Sequence, residues 1–92
     1  MSAEEAYRLG LVAQVVPAEE LTAVALERAS RLADGPRSTY ALIKRGLQRS
    51  FDLDLEGALE LEAQLQTLAA RTGDAQEAIA AFVEKRRPVF GR

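Results

Sequence analysis

Between Asp54 and Thr72 the chain reads DLEGALELEAQLQTLAART, and its apolar residues do not keep to a single stripe. At 3.6 residues per turn, Leu55, Leu59, Leu61, Leu65 and Leu68 spread round more than one face, with Ala58, Ala63, Ala69 and Ala70 between them. A helix that is apolar beyond one stripe is buried on more than one side; three other short helices of this chain can cover part of it, and a neighbouring domain or subunit is expected to cover the rest. Asp54 is a good N-cap for this helix, and Gly73 predicts its stop.

The rest of the chain offers mainly other helices to do the covering. Ser2 and Glu5 form a capping box, Ala6 and Leu9 make the apolar side of a two-turn helix, and Gly10 predicts a left-handed exit. From Ala18 to Ala33, Leu21, Val24, Ala25, Leu26, Ala29, Leu32 and Ala33 recur at helical spacing, and Gly35 and Pro36 separate that helix from the next. The third helix carries Tyr40, Ile43, Leu47 and Phe51 as one stripe, and its other face holds Arg37, Lys44, Arg45 and Arg49 with no acid between Asp34 and Asp52. Only Leu11 to Val16, closed by Pro17, is β-like, and a lone run of this length has no partner for its backbone groups. Seventeen alanines and thirteen leucines against five aromatics favour the same conclusion, because alanine and leucine cost least in a helix. The expected fold is all-α: one domain over residues 1–92, a small bundle of four to five helices with one short extended segment.

The residue inventory excludes several functions. With no cysteine and no histidine, the chain lacks a thiolate nucleophile, a disulfide framework, and the commonest general base and metal ligand. No catalytic residue and no metal site is expected. A net charge of −2 gives no global attraction to nucleic acid or to an anionic membrane. The basic face of the third helix lacks interleaved aromatics and is expected to be solvated. The carboxylate pairs Asp52 with Asp54 and Glu60 with Glu62 are explained by helix capping and exposed helix faces. No basic leader precedes an apolar run at Met1, and no stretch approaches the roughly 20 apolar residues of a membrane span, so a cytoplasmic chain is expected.

The last stretch, Asp74 to Phe90, reads DAQEAIAAFVEKRRPVF. Asp74 is expected to cap a fifth helix with Glu77 reaching back to complete the box. Ile79 and Phe82 share one face, Lys85, Arg86 and Arg87 crowd the last turn, and Pro88 forbids continuation. From spacing alone, Phe82 is a core residue and Lys85 a charge complementing the helix dipole.

Ala81, Phe82, Val83, Glu84, Lys85 and Arg86, followed by Pro88 and Phe90, resemble a signature of the enoyl-CoA hydratase/isomerase (crotonase) family. A second match lies in Ala3, Glu4, Glu5, Ala6, Leu9, Gly10, Leu11, Val12, Val15, Val16 and Pro17, with Pro36, Lys44, Glu62, Gln66 and Asp74 between in the family's order. The YALIKRGL and LELEAQLQ segments look most like the phenylacetate-pathway isomerase branch. Ala78 departs from the family's usual glycine.

The resemblance implies that this is the helical C-terminal domain of an enzyme acting on acyl-CoA thioesters, separated from an N-terminal spiral domain that carries the catalytic groups. It implies self-association, as a trimer or, for the part alone, a dimer. It also implies that Phe82 and Lys85 hold the adenine and phosphate end of coenzyme A, the thioester being substrate and no further cofactor being required. An aromatic face suits adenine and a lysine ammonium suits phosphate. The alternative is a stand-alone helical interaction module without enzymatic activity.

Overall fold

The computed structural model describes residues 1–91. Five α-helices follow in order: α1 (Ala3–Arg8), α2 (Leu21–Ala33), α3 (Arg37–Ser50), α4 (Leu55–Ala70) and α5 (Gly73–Val83), with a 3₁₀ turn at Ala18–Glu20 ahead of α2. There is no strand among the described residues, and the all-α expectation holds. The chain divides into two compact units, Met1–Ser30 and Arg31 onward.

In the first unit Ser2 caps α1 as expected, although only its half of the Ser2–Glu5 capping box is formed. The Ser2 hydroxyl accepts from the Glu5 amide at 3.0 Å. Gly10 takes φ +75°, its amide donating to the Tyr7 carbonyl at 3.0 Å and the Leu11 amide to Ala6 at 2.9 Å. This is a complete Schellman closure, with glycine where a Cβ would be strained. The run from Leu11 bends at residues 11–13 and forms no strand, because its backbone groups find no ladder partner. The Arg28 Nη2 donates to Gln14 Oε1 at 2.5 Å and ties the segment to α2.

In the second unit α4 packs mainly against α3, with a smaller contact to α5, which follows it after two residues. Gly46 lets α3 approach, since a Cβ there would lie 2.9 Å from Leu65 Cδ1. Asp54 caps α4 as expected, its Oδ1 accepting from the Gly57 amide at 2.8 Å. The expected burial of α4 on more than one side is met only in part, and toward α3 alone, within this chain. Leu61 and Leu65 are half-buried toward α3, whereas Leu59, Leu68 and above all Leu55, 76% exposed, lie open.

Three expectations are corrected here. Gly73 does not stop α4 and Asp74 does not cap α5: α4 ends at Ala70, and Thr72 performs both junctions. Its hydroxyl donates to the Ala69 carbonyl at 2.7 Å and accepts from the Ala75 amide at 3.2 Å, which places Gly73 in the first turn of α5. An extended threonine two residues earlier satisfies the orphan amide first, so the aspartate takes no part in the cap. The third correction concerns α3. It ends at Ser50, so Phe51 leaves the stripe and is 91% exposed, while Tyr40 turns from Ile43 and Leu47 to line a groove with Arg37, Lys44 and Arg45.

Candidate functional site at the end of α5

Helix α5 ends earlier than Pro88 requires. Glu84 is the C-cap, and Lys85 follows in the left-handed region at φ +54°, the one non-glycine residue with positive φ among the described residues. The Lys85 amide donates to the Phe82 carbonyl at 3.3 Å and the Arg86 amide to the Ala81 carbonyl at 3.0 Å. These two bonds are the Schellman pair seen at the end of α1, with lysine in place of glycine. Lys85, Arg86 and Arg87 therefore lie beyond the helix and not in its last turn, because the carbonyls they were expected to face are already satisfied by this closure.

After the turn the tail runs back along α5. Arg86 grips Glu77 with both ends of its guanidinium, Nη1 to Oε1 at 2.5 Å and Nη2 to Oε2 at 3.0 Å, while Nε meets Glu84 Oε2 at 2.5 Å. Glu77 Oε1 also accepts from the Val89 amide, and Asp74 Oδ1 from the Gly91 amide, each at 2.9 Å. The expected capping box between Asp74 and Glu77 is thus replaced by a clasp in which both carboxylates hold the returning chain. Hydrogen bonding to Glu77, and then to Glu84, pushes the Arg86 guanidinium above its ordinary pKa. The guanidinium stays charged at any ordinary pH.

The two candidate binding residues lie at this fixed end. Phe82 is 84% exposed, so it is not a core residue of the chain, and the buried position of the helix is its neighbour Ala81 at 0%. Ile79 and Val83 are exposed on the same helix. Lys85 is exposed, and no hydrogen bond or ion pair engages its ammonium among the described residues. The turn ties its backbone directly to that of Phe82 through the amide-to-carbonyl bond. An open aromatic face and a free point charge on one ordered turn are chemically suited to a base and a phosphate.

Sequence reasoning missed the bridge between Glu77 and Arg86. On a continuous helix, nine residues place two side chains about 180° apart, so the pair is invisible to helical spacing. The signal that could have found it was the proline after two arginines, which forces the chain to leave the helix near an acid on the preceding turns.

Two other concave features lie on α3. One is a groove of about 490 Å³ along its basic face, lined by Arg37, Tyr40, Lys44 and Arg45. The other is an apolar cleft of about 380 Å³ between α3 and α4, lined by Ile43, Leu47, Leu61 and Leu65 with Thr39 and Glu62 at its edge. No group of three or more potential metal ligands occurs among the described residues, and no helix there is long and apolar enough to cross a membrane.

The family description "Enoyl-CoA hydratase/isomerase" matches residues 1–92, the whole sequence. The chain belongs to the enoyl-CoA hydratase/isomerase family. It is 38% identical over 90 residues to 1,2-epoxyphenylacetyl-CoA isomerase of Escherichia coli, covering 98% of this chain and 34% of the isomerase. It is 37% identical over 90 residues to 2,3-dehydroadipyl-CoA hydratase of the same organism, covering 98% and 35%. The crystal structure of an enoyl-CoA hydratase from Bacillus anthracis superposes with a TM-score of 0.87 at 34% identity, covering 98% of this chain and 35% of that one. Members of the enoyl-CoA hydratase/isomerase family named for isomerisation and for hydration are thus similar to this chain to nearly the same degree. The chain spans about a third of the length of the curated relatives it matches.

Proposed function

We propose that this chain is the C-terminal helical part of an enoyl-CoA hydratase/isomerase-type enzyme acting on acyl-CoA thioesters in the cytoplasm. It supplies an oligomerisation surface and, through Phe82 and Lys85, part of the site for the adenine and phosphate end of coenzyme A. The catalytic groups and the oxyanion-stabilising amides belong to an N-terminal domain, a reading supported by the chain's spanning only about a third of its relatives' length. The observation that carries the proposal is the pairing of an exposed Phe82 ring with a free Lys85 ammonium on one clasped turn, in a chain of this family. The open second face of α4, with Leu55, Leu59 and Leu68, supports the oligomerisation role.

The test is Lys85→Ala in the assembled enzyme. A partly exposed contact to phosphate contributes about 1 kcal/mol, or several-fold in KM, and weakens with salt. Being remote from the thioester, it acts equally on ground and transition states, so kcat stays nearly unchanged. Thioesters of pantetheine, which lack the nucleotide, should not register the substitution. Equal damage to both substrates would show that the lysine serves the fold or the oligomer instead.

A further inference from the structure

We infer that Glu77 and Arg86 are positioning residues for Lys85, their bridge fixing the left-handed turn that joins Lys85 to the end of the helix carrying Phe82. The inference rests on the proposed function above and names how that site is kept in shape. Helices α1 and α5 end in the same pair of closing bonds, yet α1 places Gly10 at the left-handed position and α5 places Lys85. A side chain in that conformation is disfavoured where glycine is not, so lysine there makes a weaker stop than the one the chain uses elsewhere. An outlier of this kind persists where its surroundings over-determine it.

The surroundings do so at α5 alone. Arg86, directly after Lys85, is held by both Glu77 oxygens and by Glu84, and its amide closes the turn on Ala81. With its guanidinium committed to two carboxylates, Arg86 is not available to a phosphate, although it is the neighbouring cation. Lys85 and Arg87, by contrast, have no such partner among the described residues. Downstream, the Val89 and Gly91 amides are bound by Glu77 and Asp74, so the turn is anchored on both sides. Without the bridge, Lys85 would sample other backbone conformations and its ammonium would lose its fixed position relative to the end of α5.

The experiment is a double-mutant cycle on the full chain, read by titrating coenzyme A into isotope-labelled protein at low ionic strength and following the amides of residues 82–91 by NMR. Arg86→Gln and Glu77→Gln are each made alone and combined with Lys85→Ala, and the Glu77→Gln side chain keeps a carbonyl acceptor for the Val89 amide. Arg87→Gln reports on nearby charge alone. The expected result is that each bridge substitution weakens coenzyme A roughly threefold when Lys85 is present and has no effect once it is alanine, the coupling expected of residues acting through one another. Pantetheine serves as the control ligand and should show no dependence on any of them. Equal weakening with and without Lys85, or an Arg87→Gln effect as large as that of Arg86→Gln, overturns the positioning role. A wild-type chain that ignores coenzyme A, or a Lys85→Ala chain that binds it as well as wild type, overturns the assignment of Lys85 to coenzyme A and the positioning role with it, and leaves the family and the oligomerisation reading to their own tests.

Discussion

Arg86 and Glu77 face each other through two parallel hydrogen bonds, although nine positions separate them and a helix turn lies between. The bridge exists because the chain leaves α5 at Lys85 and comes back along it. The tail amides of Val89 and Gly91 use the same helix as their acceptor surface. Glu77→Ala should therefore release more than a charge. Val89 loses its acceptor, and with about 1 kcal/mol for one hydrogen bond its amide should exchange about fivefold faster, with amides early in α4 unchanged. Hydrogen exchange followed by NMR checks this, and unchanged protection at Val89 would contradict the clasp.

The two Schellman ends make opposite predictions for one kind of change. Lys85→Gly removes the strain of a left-handed lysine and should raise the unfolding free energy by about 0.5–1 kcal/mol. Gly10→Ala introduces the same strain and should lower it by about 1 kcal/mol. A Cβ at residue 10 meets nothing within 4 Å, so that loss is purely conformational. Thermal or denaturant unfolding of the two variants measures both signs.

Thr72 caps α5 in place of Asp74, which instead holds the Gly91 amide. Thr72→Ala removes the cap of α5 and the hydroxyl bond to Ala69, and should cost about 1 kcal/mol. Asp74→Ala leaves the cap in place, and its main effect should be faster exchange at Gly91. Circular dichroism for helix content and exchange at Gly91 separate the two. Were Asp74→Ala the more damaging to helix content, the assignment of the cap to Thr72 would be wrong.

The parts of this fold that sequence could specify are those decided within four residues. Ser2 with Glu5, Gly10, and Asp54 with Gly57 all satisfy a helix terminus locally, and each was legible for that reason. Where two residues could cap the same terminus, as with Thr72 and Asp74, local chemistry alone gave the wrong one. The exposure of Phe82 was hidden for another reason: apolar spacing reports that a face wants cover, not what covers it. The tail clasp needed the chain to reverse, and no periodicity encodes a reversal.

The open faces of α4 and α5 give the last prediction. Phe82 is mostly exposed, so Phe82→Ala should change the stability of a single chain by less than about 0.5 kcal/mol, against roughly 3–5 kcal/mol for a core phenylalanine. Leu55, Leu59 and Leu68 are likewise open, although their helix is apolar on that side as well as toward α3. A cluster of exposed leucines on one helix face marks an interaction surface, and in the proposed function a second copy covers it. Sedimentation equilibrium at about 100 µM should then give a mass above the 10.0 kDa of one chain. Leu59→Gln should return the mass to that of the monomer while leaving helix content unchanged, since Leu59 contributes little to its own chain's packing. A wild-type chain that stays monomeric, unfolding cooperatively with Leu59 still exposed, would favour the independent helical module over a part of a larger assembly.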